Sequence, residues 1–148
     1  MERTENRPHL SVVIPCYNEE KNLERGVLVE VYDYLKKQPF SWEVIICNDE
    51  STDKSRALIQ AFIQDKPRFS LHDIPHGGKP AAVWGGIQHA EGTLILFTDM
   101  DQSTPIGEWA KLAPWYERGY DVVIGSRGLG REGFSLVRKL GSQVFRAL

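Results

Sequence analysis

Short apolar runs alternate along the chain with longer stretches in which apolar residues recur at helical spacing. The runs predict five strands, at residues 10–15, 42–47, 69–73, 93–98 and 121–125. Within them the apolar residues are continuous rather than alternating with polar ones, a pattern typical of strands buried on both faces. We therefore expect a mostly parallel sheet.

The stretches between the strands carry apolar stripes that predict amphipathic helices. In the first, Leu23, Val27, Val31 and Leu35 repeat at every fourth residue, and Asn18 is the expected N-cap. Three further stripes consist of Ala57, Leu58, Ala61 and Phe62, of Val83, Ile87 and Ala90, and of Trp109, Leu112, Ala113 and Tyr116. Strands that alternate with helices predict an α/β doubly wound sheet, and 148 residues suit one domain over 1–148.

Composition and charge narrow the class of protein. The chain is 41% hydrophobic and 26% charged, which is ordinary for a globular domain, and its net charge of −2 argues against nucleic acid as a partner. Residues 127–148 nevertheless carry five basic residues against one acid, so we expect an anionic partner at that end. The two cysteines, Cys16 and Cys47, are expected to be buried and reduced.

Charged residues cluster just after the predicted strands, where ligands bind in open α/β sheets. Asp99 and Asp101 follow the fourth strand, and in an extended segment residues two apart point the same way. Two converging carboxylates repel each other unless a cation joins them, and hard oxygen ligands suit Mg²⁺ or Mn²⁺. The alternative is a pair of capping acids before a helix that starts near Pro105.

Two other strand ends hold candidate ligand-binding segments. After the second strand, Asp49 is placed to accept hydrogen bonds from a nucleobase, unless residues 48–53 are only a well-capped turn. After the third strand, residues 76–80 are glycine-rich and bring Lys79 to the start of a helix. Backbone amides at a helix start favour an anion and Lys79 adds a positive charge, although a plain surface lysine is the simpler interpretation.

Taken together, these segments resemble family 2 glycosyltransferases of the GT-A fold, especially those that use dolichyl or polyprenyl phosphate as acceptor. The resemblance rests on VVIPCYNEEKNL (12–23), NDESTD (48–53), GGKPAAVWGGIQHAEG (77–92), TDMDQSTP (98–105) and DVVIGSR (121–127). The later pairing of Gly-Ser-Arg with Arg138 and Ser142 favours the lipid-phosphate branch. The fold that this implies is a Rossmann-like, mostly parallel sheet flanked by helices.

The resemblance implies a site for a nucleotide-diphosphate sugar. Where the motifs match, the residues implied to bind this donor are Pro15, Tyr17, Asn18, Glu19, Asp49, Ser51, Lys79 and Asp99. Two positions depart from the family's Asp-Asp-Gly-Ser-x-Asp motif, because Asn48 replaces the first acid and Glu50 replaces the glycine. A glutamate is expected to disfavour the positive φ that glycine permits.

A metal site is also implied. Asp99 and Asp101 match the family's metal-binding Asp-x-Asp motif, and the metal is expected to be Mg²⁺ or Mn²⁺. In the lipid-phosphate branch a glutamine two residues further on often joins the metal ligands. That position is Ser103 here, with Gln102 beside it, so Ser103 is the expected third ligand.

The acceptor site implied by the resemblance lies towards the C-terminus. Arg127, Arg138 and Ser142 match the family's binders of the acceptor phosphate, and Asp101 and Arg127 are the expected catalytic residues. A lipid phosphate is already an anion at neutral pH, so it needs positioning more than a general base. No acid between residues 103 and 148 lies in the setting expected of such a base, which favours the phosphate acceptor.

The activity implied is inverting transfer of a hexose from a nucleotide-diphosphate sugar to polyprenyl or dolichyl phosphate. UDP-glucose is the favoured donor, because Asp-x-Asp followed by Ser-Thr-Pro resembles the dolichyl-phosphate glucose branch. Two alternatives stay open. The chain could belong to a family 2 enzyme that acts on a saccharide hydroxyl, or it could be a nucleotide-sugar-binding module without activity.

The end of the chain bears on the expected partners. Residues 134–148 carry a helical pattern without a C-cap, so we expect the GT-A fold to be incomplete at its C-terminus. A missing strand would leave an open sheet edge or apolar face that favours a homodimer. We expect a full-length protein to be cytoplasmic and associated with a membrane surface.

Overall fold

The described part of the chain is built around a parallel sheet. A computed structural model describes residues 7–125. The strands are β1 (Leu10–Cys16), β2 (Trp42–Asn48), β3 (Phe69–Asp73) and β4 (Leu94–Phe97), in the order β3-β2-β1-β4. β1 lies at the centre, where Val12 pairs with Val44 of β2 and with Leu96 of β4. The predicted α/β class and the first four predicted strands are confirmed.

Helices follow each of the strands. They are α1 (Glu20–Glu24), α2 (Val27–Leu35), α3 (Ser55–Ile63), α4 (Gly78–His89) and α5 (Trp109–Glu117), with a 3₁₀ turn at Ile106–Glu108 before α5. The chain divides after Trp109 into two compact units, and the sheet lies wholly within the first. The expectation of a single domain stays a prediction.

The single helix predicted from the first stripe is two helices. Gly26, between α1 and α2, has a φ of 92°, a left-handed conformation that interrupts a right-handed helix. The stripe still identified the buried face of α2, because Val27, Val31 and Leu35 are all buried.

In α3 the stripe was right only in part. Leu58 and Phe62 are half-buried, and the Phe62 ring contacts that of Phe69, but Ala57 and Ala61 are exposed. The fully buried residues of α3 are Ser55 and Ile59.

The predicted fifth strand is wrong. Residues 121–125 take no strand conformation, and Val122 and Ile124 are 75% and 83% exposed. A strand needs a neighbour that pairs with its backbone N–H and C=O groups. The sheet of the described residues ends at β4 and gives this segment no partner, so its apolar residues alone did not fix its conformation.

α4 packs directly against the central strand. Gly86 is buried in this contact, and a Cβ atom at that position would clash with Cγ1 of Val13. On the edge strand β4, Ile95 and Phe97 are exposed, as is Trp84 of α4. An apolar surface of this kind was expected from the sequence, whereas the homodimer inferred from it stays a prediction. Within residues 7–125, no helix has the length and apolar character needed to cross a membrane.

Candidate functional site

A cavity of about 300 Å³ lies at the carboxyl ends of β1, β2 and β4. In a parallel sheet these ends meet at one edge, so the loops that follow them surround a common space. Seven residues predicted from the sequence line the cavity: Pro15, Tyr17, Glu19, Asp49, Lys79, Asp99 and Asp101. Asn18, Ser51 and Ser103 are not among the lining residues.

Asn18 and Ser51 join the loops that follow β1 and β2. The hydroxyl oxygen of Ser51 accepts a hydrogen bond from the backbone N–H of Asn18 (3.0 Å), and Oδ1 of Asn18 accepts from the backbone N–H groups of Thr52 (2.8 Å) and Asp53 (3.3 Å). Asn18 takes a φ of 52° in this arrangement. The predicted N-cap at Asn18 is therefore wrong, because Glu19 occupies the N-cap position of α1.

A second set of hydrogen bonds fixes the same two loops. The hydroxyl oxygen of Ser55 accepts from the backbone N–H of Glu19 (2.7 Å), and Oδ2 of Asp53 accepts from that of Glu20 (3.1 Å). Glu20 in turn pairs with the Lys54 ammonium at 3.0 Å, and this neighbour holds the pKa of the Glu20 carboxyl below its ordinary value. These bonds hold the backbone of Glu19 in place at the cavity.

Asp49 is buried, and both of its carboxylate oxygens bind the start of α4. Oδ1 accepts from the backbone N–H of Gly77 (2.8 Å), and Oδ2 accepts from that of Gly78 (2.9 Å). Nδ1 of His76 lies 3.0 Å from Oδ2. The anion expected at this helix start is therefore the side chain of Asp49 itself, which orders residues 76–78. Contact of Asp49 with a nucleobase stays a prediction.

His76 and Tyr17 form a pair of rings in the cavity wall. Their centroids are 5.0 Å apart with a tilt of 37°, and both side chains are exposed. Exposed aromatic and imidazole rings are surfaces on which a planar base stacks. His76 was not among the predicted site residues, because no argument from charge or spacing distinguished it within its glycine-rich segment.

The two acids of the Asp-x-Asp motif reach the cavity in different surroundings. Oδ1 of Asp99 lies 2.5 Å from Nζ of Lys79. Oδ1 of Asp101 accepts from the backbone N–H of Ser103 (2.8 Å), and the backbone oxygen of Asp101 accepts from Nη2 of Arg25 (2.7 Å). Arg25 is a support for this loop that the sequence did not reveal, since it lies far from the motif in the chain.

These carboxylates fit a divalent cation. They supply hard oxygen atoms to one cavity, which suits Mg²⁺ or Mn²⁺. Among residues 7–125, no three acidic, histidine or cysteine side chains converge into a closed metal cage. An arrangement with few protein ligands is typical of magnesium sites that leave the remaining positions to water and substrate phosphates.

Gln102 serves the structure of the loop rather than the cavity. Its Oε1 accepts from the backbone N–H of Ile106 (3.0 Å), and its Nε2 donates to the backbone oxygen of Asp99 (2.9 Å). The side chain is buried. Of the two residues considered for the third metal position, Ser103 remains, and its role as a ligand stays a prediction.

Asn48 and Glu50, the two departures from the family motif, differ in their local structure. Asn48 is buried, and its Nδ2 donates to Oδ1 of Asp73 at 2.8 Å. The Arg56 guanidinium and the Asn48 amide beside Asp73 hold the pKa of its carboxyl below the ordinary value. Glu50 keeps a φ of 54°, so the positive φ that a glutamate was expected to disfavour is nevertheless present.

The acceptor residues predicted from the sequence cannot be placed in this cavity. Arg127, Arg138 and Ser142 lie outside the described residues. Their roles stay predictions.

The profile of glycosyl transferase family 2 matches residues 11–143. The chain belongs to glycosyl transferase family 2. This family 2 chain is 35% identical over 130 residues to the dolichyl-phosphate beta-glucosyltransferase ALG5A of Trichomonas vaginalis, across 80% of its own length and 40% of that protein. It is 33% identical over 143 residues to an undecaprenyl-phosphate 4-deoxy-4-formamido-L-arabinose transferase of Pectobacterium atrosepticum, across 95% of its own length and 42% of that protein.

Solved structures of other proteins share the fold of this family 2 chain. The mannosyltransferase PcManGT of Pyrobaculum calidifontis, in complex with GDP-Man and Mn²⁺, aligns over 70% of this chain and 30% of its own, with a TM-score of 0.57 and 25% identity. TarS of S. aureus aligns over 86% of this chain and 23% of its own, with a TM-score of 0.58 and 26% identity. The predicted GT-A fold and family resemblance are confirmed. The chain spans about two fifths of the length of the two curated relatives.

Proposed function

We propose that this chain is the donor-binding part of a glycosyltransferase that moves a hexose from a nucleotide-diphosphate sugar to polyprenyl or dolichyl phosphate. The observation that carries the proposal is one cavity in which Lys79, Asp99 and Asp101 lie near the paired rings of Tyr17 and His76. The charged groups suit a diphosphate with its cation, and the rings suit a base. The relatives named for dolichyl and undecaprenyl phosphates support a lipid phosphate as acceptor.

In this proposal the cavity residues divide the donor between them. Asp99 and Asp101, with Ser103, hold Mg²⁺ or Mn²⁺, a choice supported by the Mn²⁺ in the mannosyltransferase complex. When bound, the cation neutralises charge on the departing diphosphate. Lys79 adds a point charge at the same group. Tyr17 and His76 stack on the base, while Glu19 and Asp49 contact the nucleoside.

The transfer itself needs positioning more than proton transfer. An oxygen of the acceptor phosphate attacks the anomeric carbon, the bond from that carbon to the diphosphate oxygen breaks, and the nucleoside diphosphate leaves with the electron pair. Attack from the opposite face inverts the configuration. Arg127, Arg138 and Ser142 bind the acceptor phosphate in this proposal, Asp101 and Arg127 act in catalysis, and the lipid acceptor brings the whole protein to a membrane surface.

UDP-glucose is the donor that we propose first. The glucosyltransferase relative supports glucose at 35% identity over 130 residues. GDP-mannose is the second candidate, because a mannosyltransferase that carries GDP-Man has the same fold at 25% identity. Because the chain spans only part of the relatives' length, donor binding and sugar transfer need separate tests.

The decisive experiment is a calorimetric titration of the 148-residue chain with UDP-glucose and with GDP-mannose, each with and without Mn²⁺. We expect metal-dependent binding of UDP-glucose that is lost in Asp101→Ala, because this carboxylate is a proposed cation ligand. Asp33→Ala is the matched control, since Asp33 is an exposed acid on α2 outside the cavity and should leave binding unchanged.

Each outcome bears on a different part of the proposal. Binding of GDP-mannose alone would overturn the choice of donor but keep the site. Metal-independent binding that survives Asp101→Ala would overturn the role of the Asp-x-Asp motif. A transfer assay with a short polyprenyl phosphate then shows whether the chain transfers the sugar or only binds the donor. Transfer to a saccharide hydroxyl instead of the lipid phosphate would overturn the proposed acceptor.

A further inference from the structure

Lys79 and Asp99 form an ion pair inside the cavity, with 2.5 Å between Nζ and Oδ1. Both side chains line the cavity and both are partly exposed, at 55% for Lys79 and 39% for Asp99. The contact occupies one oxygen of a carboxylate that the proposed metal site requires. No lysine or arginine within residues 7–125 forms an ion pair with the carboxylate of Asp101, although Arg25 binds its backbone oxygen. Within the described residues, Asp99 is therefore the acid of the motif whose carboxylate is ion-paired.

An ammonium and a divalent cation compete for the same carboxylate oxygen. Both are positively charged, so a cation that approaches Asp99 meets repulsion from Lys79 as well as a reduced charge on its ligand. A cation that takes Oδ1 of Asp99 as a ligand must therefore displace Lys79. In the structure, the resting position of Nζ is also 5.3 Å from the centroid of the Phe97 ring, on the strand that leads to Asp99.

A nucleoside diphosphate offers Lys79 another partner. Lys79 is the second residue of α4, and the amides of Gly77 and Gly78 beside it are already bonded to Asp49. At this helix start, the lysine ammonium is therefore the group that remains able to move towards an arriving anion. Its four-carbon stem is flexible, and an ammonium pairs well with phosphate oxygens.

We propose that Lys79 is a positioning residue that couples metal binding to nucleotide binding. It holds Asp99 in the nucleotide-free cavity, and it moves to the diphosphate when the nucleotide binds, which frees Asp99 for the cation. This inference rests on the proposed function and adds to it the order and cooperativity of binding. Because the coupling of two ligands is reciprocal, the cation also strengthens the binding of the nucleotide.

The test measures Mn²⁺ affinity directly, from the paramagnetic resonance signal of free Mn²⁺, with and without UDP and with correction for Mn²⁺ bound by UDP alone. UDP should tighten Mn²⁺ binding to the unaltered chain by about tenfold, a common size for such coupling. Without UDP, Lys79→Met should bind Mn²⁺ about tenfold more tightly than the unaltered chain. UDP should then enhance Mn²⁺ binding less than it does in the unaltered chain, because only the direct attraction between the diphosphate and the cation remains.

Two control variants separate this role from a general effect of charge. Lys79→Arg keeps a cation beside Asp99 and should restore weak binding and its enhancement by UDP. Lys36→Met removes an exposed ion pair of the same kind, with Asp33 at 2.6 Å, and Lys36 does not line the cavity. It should behave like the unaltered chain.

Weaker or unchanged Mn²⁺ affinity in Lys79→Met would overturn the inference. If the unaltered chain still binds Mn²⁺ and UDP in a way that Asp101→Ala abolishes, only the role of Lys79 fails and the proposed function stands. If no variant binds Mn²⁺ with or without UDP, the inference fails together with the proposed metal site.

Discussion

Asn48 shows how an amide replaces an acid at the end of β2, beside the last residue of β3. Its side chain donates to Asp73, a carboxylate that also accepts from Nε of Arg56 at 2.8 Å. A second carboxylate at position 48 would be buried against Asp73 and would repel it. The asparagine of this sequence is therefore matched to Asp73.

Asn48→Asp should destabilise the chain by about 2 kcal/mol at pH 7, since it replaces a buried donor by a like charge. Repulsion by Asp73 should raise the pKa of the new carboxyl in the folded state. A raised pKa gives stability that is present at low pH and lost as pH rises, so the deficit should shrink towards pH 4. Urea unfolding at pH 4 and pH 7 measures the difference.

A matched control for this exchange lies at Asn22. Its Nδ2 donates to Oε2 of Glu19 at 2.6 Å, but Asn22 is less buried than Asn48. Asn22→Asp should therefore cost less, because solvent screens the repulsion. An equal decrease in the free energy of unfolding for Asn22→Asp and Asn48→Asp would contradict the explanation from burial.

Glu50 carries local strain in the loop that follows β2, because its φ of 54° is unfavourable for a residue with a Cβ atom. Glu50→Gly should raise the free energy of unfolding by about 1 kcal/mol, because the penalty of the left-handed conformation disappears. Thermal or urea unfolding gives the measurement. Glu50→Ala removes the charge but keeps the Cβ atom, so its free energy of unfolding should rise little. An increase as large as that of Glu50→Gly would attribute the effect to the charge of Glu50.

At the scale of elements, the contact between α4 and β1 depends on a glycine. Gly86→Ala should destabilise the chain by about 1–3 kcal/mol, because the added methyl group overlaps Val13 and forces the helix away from the strand. Helix propensity alone predicts the opposite sign, a gain of about 1 kcal/mol. Urea unfolding distinguishes the two directions.

The neighbouring glycine provides the control. A Cβ at Gly85 would lie 3.2 Å from Cγ2 of Ile74, a side-chain atom that a small shift can accommodate. Gly85→Ala should therefore lose less stability than Gly86→Ala. If both variants were stabilised, packing of α4 on β1 would not be the determining interaction.

At the scale of the whole molecule, the two thiols connect stability to pH. Cys16 and Cys47 are free and buried, as the sequence predicted, and burial raises the pKa of each from 9.0 to about 11. As pH rises, the thiols ionise in the unfolded chain before they ionise in the folded chain. Their contribution to the free energy of unfolding is therefore fully present below pH 9 and is lost as pH rises towards 11. The free energy of unfolding should fall by up to about 1.4 kcal/mol per pH unit for each thiol in this range.

Urea unfolding between pH 8 and pH 11 measures this slope. In the double variant Cys16→Ala and Cys47→Ala, the part of the slope that belongs to the thiols should disappear, whatever its stability at pH 8. Alkylation of the folded chain at pH 8 should be slow at both cysteines, because a thiol with a pKa of about 11 is almost fully protonated at that pH. Rapid modification of either cysteine in the folded chain would contradict the assigned burial.

The sequence by itself determined the class of fold, four strands and most of the cavity. Buried parallel strands leave continuous apolar runs, and the polar residues that follow them must meet at one edge of the sheet. This logic brings Asp49, Lys79, Asp99 and Asp101 together from the sequence alone. It failed at residues 121–125, because apolar character does not supply a strand with a hydrogen-bonding partner.

Only the tertiary structure decided which partner each of these side chains takes. Asp49 binds the backbone amides at the start of α4, Lys79 pairs with Asp99, and His76 lies beside Tyr17. The two members of each of these contacts are far apart in the chain. Sequence patterns record the local periodicity of burial, whereas such contacts depend on where separate loops converge. The same limit explains Gly86, whose close approach to a strand no local pattern reveals.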